Sequence, residues 1–119
     1  MKLSDLLKEG HIATGFKSRD KGDTLAKLVD LLVDQGRLRP DLRAPVLEAL
    51  LARERIASTG MENGVALPHA SVDGMDDALA ALALSAEGVP FQSADGKPAR
   101  IVLLLVIPRK AVQVHIRTL

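Results

Sequence analysis

The sequence predicts one α/β domain, a mixed β-sheet with helices packed against it. Three observations carry this. The elements follow the order helix, strand, helix, helix, strand, strand, strand. Two stretches repeat apolar residues at helical spacing. Ile101 to Ile107 is apolar at every position, as expected of a central strand covered on both faces. With 119 residues the chain has room for one domain with a modest core and not for two. It contains no internal repeat and no linker.

Taken in order, Leu3 to Lys8 reads as a short helix that Ser4 or Asp5 can cap and Gly10 ends. His11 to Phe16 alternates enough to be a strand, through Ile12, Thr14 and Phe16. Leu25, Leu28, Val29, Leu32 and Val33 place a helix over about Asp20 to Gln35, with Gly36 closing it. Arg39-Pro40-Asp41 is a connection. A second amphipathic helix runs from about Arg43 to Arg55, with Pro45 in its first turn and Val46, Leu47, Leu50 and Leu51 on its apolar face. Val65 to Leu67 is a short buried strand that Pro68 should end, since proline offers no N–H to a ladder. Val72 to Asp77 is turn-like. Leu79 to Leu84 is alanine-rich but short and flanked by Gly74 and Gly88, which argues for a strand. Pro90 to Pro98 is a loop with its turn at Asp95-Gly96. The strand over Ile101 to Ile107 stops at Pro108. Val112, Val114 and Ile116 alternate with Gln113 and His115, a strand on pattern alone.

Composition removes several function classes. The formal net charge of +1 gives no case for nucleic acid or an anionic membrane. Without cysteine there is no disulfide, no thiol catalysis and no thiolate-held metal, a composition that fits the cytosol. No apolar segment approaches membrane-spanning length. Phe16 and Phe91 are the only aromatic residues, too few for a base-stacking platform. Histidines at 11, 69 and 115 lack metal-type spacing and clustered carboxylates. A GxxxxGK[ST] loop and a G-x-S-x-G elbow are both absent.

What remains centres on Ser58 to Ala70. Gly60, Glu62, Asn63 and Gly64 favour tight turns, and they feed Val65-Ala66-Leu67, Pro68 and then His69. A histidine so placed is either structural or the usual neutral-pH acid, base or nucleophile. Ser58 and Thr59 offer hydroxyls, and backbone N–H groups at Gly60 and Gly64 are suited to an anion. Arg53, at the end of the second long helix, either holds a phosphate bidentately or satisfies helix-end carbonyls, the commoner fate. Glu54 and Glu62 are expected to be solvated loop carboxylates rather than acid–base partners of His69. His115 is a second imidazole that nothing in the sequence places near His69, and His11 reads as structural or exposed.

These residues carry a resemblance. Arg53-Glu54-Arg55, Ser58-Thr59-Gly60 and Gly64-Val65-Ala66-Leu67-Pro68-His69 are similar to the active-site signature of the enzyme IIA domains of the bacterial phosphotransferase system, of the fructose–mannitol type that includes the nitrogen-regulatory members. Asp95-Gly96-Lys97-Pro98, Val106-Ile107-Pro108 and His115-Ile116 with Leu119 match further. The likeness covers essentially the whole chain, so residues 1–119 are expected to form a single IIA-like phosphocarrier domain. Glu62, Ala70 and Ser71 depart from the residues usual in the family. The family also makes the last segment helical and continues past it, so the C-terminal helices are expected to be missing from this sequence.

The resemblance implies a mixed sheet sandwiched by helices and a phosphotransferase component. It implies that His69 accepts a phosphoryl group from the histidine-containing phosphocarrier protein, with either imidazole nitrogen open to it. Arg53 and His115 would flank the phosphate, with Ser58, Thr59, Gly60 and Gly64 as its binding loop. No cofactor or metal is implied, nor nucleic acid or membrane insertion, and the location expected is the cytoplasm. The partner downstream is either a sugar-transporter IIB domain or a regulatory target protein. A start at Met1 with no transporter domain favours the nitrogen-regulatory type over a fructose or mannitol component. A IIA-like docking module that transfers nothing is the remaining alternative.

Overall fold

The computed structural model describes residues 12–109 except positions 76 and 94. The expected helix over Leu3 to Lys8 and everything expected of Val112 to Leu119, His115 included, lie outside the described residues, as does His11.

The first long helix, α1, spans Lys21–Asp34. Asp20 caps it, its Oδ1 accepting the Asp23 N–H at 2.8 Å and so satisfying one of the orphan donors of the first turn. Thr24, Leu25, Leu28, Val29 and Leu32 turn inward, one face at spacings of three and four. Gly36, at φ +71°, ends the helix in the left-handed conformation that only glycine adopts freely. A 3₁₀ turn at Pro40–Leu42 leads into α2, Arg43–Ile56. Its buried residues are Val46, Leu50 and Glu54. They form a stripe at every fourth position whose last member is an acid. Leu47 and Leu51 of the expected apolar face are only half-buried.

The sheet holds β1 (Ile12–Ala13), β2 (Val65–Ala66), β3 (His69–Val72), β4 (Leu79–Val89) and β5 (Ala99–Pro108). β1 lies parallel to β4, β4 antiparallel to β5, and β2 and β3 both pair parallel with β5. The mixed sheet predicted from the element order is therefore the one observed. α1 packs on β4 and α2 on β3. Alanines at 81 and 83, fully buried, let α1 approach the sheet closely.

Two expectations need correction. The first is that Pro68 interrupts the strand without ending it. Val65 lies opposite Ile101 and His69 opposite Leu105, so both strands advance by four residues and the register does not slip. The Pro68 carbonyl still accepts the Leu105 N–H at 2.9 Å. A proline is tolerated here because this is an edge of the sheet, and pairing continues to Val72, where a turn was expected. The second is that β5 is not covered on both faces among the described residues. Val102, Leu104 and Val106 are buried under the helices, while Leu103, Leu105 and Ile107 are half-buried and Ile101 is 42% exposed. A continuous apolar run is ambiguous here, because it shows no alternation to reveal an open face. The two described helices, α1 on β4 and α2 on β3, agree with the expected mixed sheet with helices packed against it. In addition, the strand expected over residues 11–16 shrinks to Ile12–Ala13, and that over Leu79 to Leu84 extends to Val89.

Candidate functional site

Thr59 to Leu67 folds back on itself as a hairpin. The Met61 N–H donates to the Val65 carbonyl at 2.7 Å and the Leu67 N–H to the Thr59 carbonyl at 3.1 Å, with Gly60 bridged to Ala66. Asn63 and Gly64 form the tip at φ 64° and 75°. Both residue types take positive φ at low cost. The Gly64 carbonyl then accepts the Arg100 and Ile101 N–H groups at 2.7 and 2.9 Å, tying the tip to the start of β5. Glu62 sits at this tip and is exposed, in agreement with a solvated carboxylate.

Asp95 clamps the tip from outside. Its carboxylate accepts the Lys97 N–H at 3.0 Å and the Asn63 N–H at 3.1 Å. The Lys97 N–H first, and that of Asn63 second, hold its carboxyl below the ordinary carboxylate range. A carboxyl depressed in the folded state stabilises above its unfolded pKa of about 3.9 and loses that contribution as pH falls through the folded value. Asp95→Asn should therefore lower the melting temperature near neutral pH. The gap from the parent should close below about pH 4, which melting curves recorded across that range will show.

His69 opens β3 and is half-buried. With its pairing partner Leu105 it shares the face of the sheet opposite that of the buried Leu104 and Val106. Its Nδ1 lies 2.9 Å from the Leu67 carbonyl oxygen. A carbonyl only accepts, so Nδ1 carries the proton and the lone pair of the neutral ring is left on Nε2. The fold thus distinguishes two ring nitrogens that are equivalent in the sequence.

Arg53 stands in the last turn of α2, where its Nη1 donates to the Ala57 carbonyl at 2.6 Å. It caps the helix end, the commoner of the two fates read from sequence. A guanidinium has five N–H donors, so this bond leaves others for an anion.

Three of the residues expected to form an anion loop, Ser58, Thr59 and Gly60, are engaged with the protein itself. Ser58 Oγ donates to the Phe91 carbonyl and accepts the Gly60 N–H at 3.0 Å. Thr59 donates its N–H to Glu54 Oε2 at 3.1 Å and its hydroxyl to Glu54 Oε1. Gly60 is needed for close approach, since a Cβ there would stand 2.8 Å from the Phe91 carbonyl oxygen. These residues shape the loop that leads into the hairpin.

Glu54 is the clearest departure from the sequence reading. It is no solvated loop carboxylate: its side chain is 5% exposed, and Lys21 Nζ lies 3.0 Å from Oε2. Lys21 also donates to Gln92 Oε1 at 3.2 Å and sits 5.3 Å from the centre of the Phe91 ring. The signal was present in the sequence, because Glu54 falls four residues after Leu50 on the buried stripe. An acid on such a stripe asks for a partner.

Among the described residues, no helix is long and apolar enough to cross a membrane. The family model described as "Phosphoenolpyruvate-dependent sugar phosphotransferase system, EIIA 2" matches residues 5–119. The chain is 40% identical over 92 residues to the fructose-specific EIIA component of the phosphotransferase system of Haloferax volcanii, covering 77% of this chain and 58% of that protein. It is 32% identical over its whole length to the fructose-specific EIIABC component of Bacillus subtilis, of which it spans 18%. The crystal structure of nitrogen regulatory protein IIA-Ntr from Neisseria meningitidis superposes with a TM-score of 0.82 at 31% identity, over 97% of this chain and 77% of that one.

Proposed function

The chain belongs to the EIIA type 2 family of the phosphoenolpyruvate-dependent sugar phosphotransferase system, and on that premise we propose that it is a cytoplasmic phosphocarrier which accepts a phosphoryl group on Nε2 of His69 from the histidine-containing phosphocarrier protein. The observation that carries this reading is the Nδ1 contact with Leu67. The Nε2 lone pair attacks phosphorus, the bond from phosphorus to the donor's ring nitrogen breaks, and that nitrogen keeps the electron pair. The His69 ring becomes an N-phosphorylated imidazolium that still holds its Nδ1 proton. As positive charge grows on the ring, the bond to the Leu67 carbonyl strengthens, so it favours the transition state over the resting imidazole. Transfer of this kind needs positioning and charge stabilisation more than covalent help. Arg53 is the proposed cation for the phosphate, and His115 a further donor to it.

For the step after loading, two readings have support. Superposition with IIA-Ntr favours a regulatory target protein. The 40% and 32% identities to fructose-specific components favour a IIB domain, which would take the phosphoryl group onto a cysteine. The test is to incubate the chain with phosphoenolpyruvate, enzyme I and the histidine phosphocarrier. An acid-labile, base-stable label is expected. Its absence on folded protein would leave a docking module that transfers nothing. Adding a fructose-type IIB domain to the labelled protein then separates the two acceptors, because only a sugar-specific component passes the label on.

A further inference from the structure

In the hairpin, Gly60 and Ala66 face each other without exchanging hydrogen bonds, so the flanking pairs are the bonded ones. At Thr59 and Leu67 half of the exchange is made, with the Leu67 N–H donating to the Thr59 carbonyl. The reciprocal bond, from the Thr59 N–H to the Leu67 carbonyl, is replaced on both sides by side chains. The Thr59 N–H goes to Glu54, and the Leu67 carbonyl takes the His69 ring. Two side chains far apart in sequence each hold one half of the same missing ladder bond.

We propose that Glu54 is a positioning residue for His69: by capturing the Thr59 N–H it keeps the Leu67 carbonyl open for the imidazole, and so presents Nε2 outward. Two features support this. Glu54 is bound at both oxygens and buried, so its hold on Thr59 is in competition with the ladder and not with water. Lys21 pairs with the carboxylate through Oε2, which fixes the acid as the anion that a backbone N–H prefers as its acceptor. Released from Glu54, the Thr59 N–H would close on the Leu67 carbonyl, and the ring would lose the acceptor that sets its tautomer. This deepens the carrier reading and rests on it only for the second readout below.

The experiment is nitrogen NMR of the ¹⁵N-labelled full chain at about pH 8, above the free-imidazole pKa of about 6.5. His69→Ala identifies the His69 signals. In the parent, a protonated Nδ1 and an unprotonated Nε2 are expected, and a ring split between tautomers overturns the proposal without any variant. In Glu54→Ala the ring should move toward such a mixture. Phosphorylation should slow by about tenfold or more, with some label appearing on Nδ1. Glu54→Asp retains the charge for Lys21 but shortens the reach to Thr59, so it should shift the ring in the same direction, and it stands in if the alanine variant does not fold. Glu54→Gln, whose amide oxygen can still accept the Thr59 N–H, should keep the parent pattern. A folded alanine or aspartate variant with the parent tautomer overturns the proposal, as does a glutamine variant shifted as far as alanine. Because the tautomer is read without phosphate, failure here is distinguishable from failure of the carrier reading.

Discussion

His69→Ala is expected to abolish phosphoryl acceptance while leaving the protein folded. The variant has no nucleophile, so labelling from the phosphocarrier protein should fall by at least about four orders of magnitude, to background. Stability should change little. The ring is half-buried at the sheet edge and, among the described residues, makes one hydrogen bond, to Leu67. Such a bond contributes about 1 kcal/mol, and no close-packed cavity opens in the core under the helices. Labelling kinetics and a denaturation curve on the same preparation check both halves. A variant that keeps its label would move the acceptor to another residue. A variant that loses both label and fold would say only that His69 is structural.

Gly60→Ala is expected to have the opposite profile, a large loss of stability from one added methyl group. Its Cβ would stand 2.8 Å from the Phe91 carbonyl oxygen and 2.9 Å from Ser93 Cα. Both are backbone atoms, which cannot swing aside as a flexible side chain would. Ser93 and Phe91 are themselves buried, so the segment has little room to retreat. Forcing the hairpin and the 91–93 segment apart should cost about 2–3 kcal/mol. It should also pull Ser58 from the Phe91 carbonyl and loosen the Thr59–Leu67 pairing that supports His69. Denaturant midpoints measure the first effect, and labelling rates normalised to folded protein measure the second. If the midpoint is unchanged, the close approach of the two segments does not exist in solution.

Glu54 and Pro68 show where sequence reading stopped and why. The two helices were legible because their apolar residues repeat with the helical period and their ends carry Asp20 and Gly36, which act locally. The sheet's mixed character followed from element order. Glu54 was misread because its exposure depends on Lys21, which lies 33 residues earlier, and on the loop that folds back over it. Pro68 was misread as a terminus because only pairing with β5 reveals that the register continues beyond it. Ser58, Thr59 and Gly60 looked like ligand groups because hydroxyls and a small residue suit an anion loop equally well. Which use they serve depends on what stands within hydrogen-bond reach.

By itself the sequence determined the two long helices and the mixed sheet and drew attention to His69, because period, caps and turn residues are local properties. Only the tertiary structure decided which nitrogen of His69 carries the proton, which face of β5 is the more deeply buried and which carboxylate is buried. The buried carboxylate and the strand depend on partners distant in sequence, and the ring on how the chain between Leu67 and His69 is folded. A hydrogen bond or a buried contact requires its partner's position in space, which the order of residues alone does not specify.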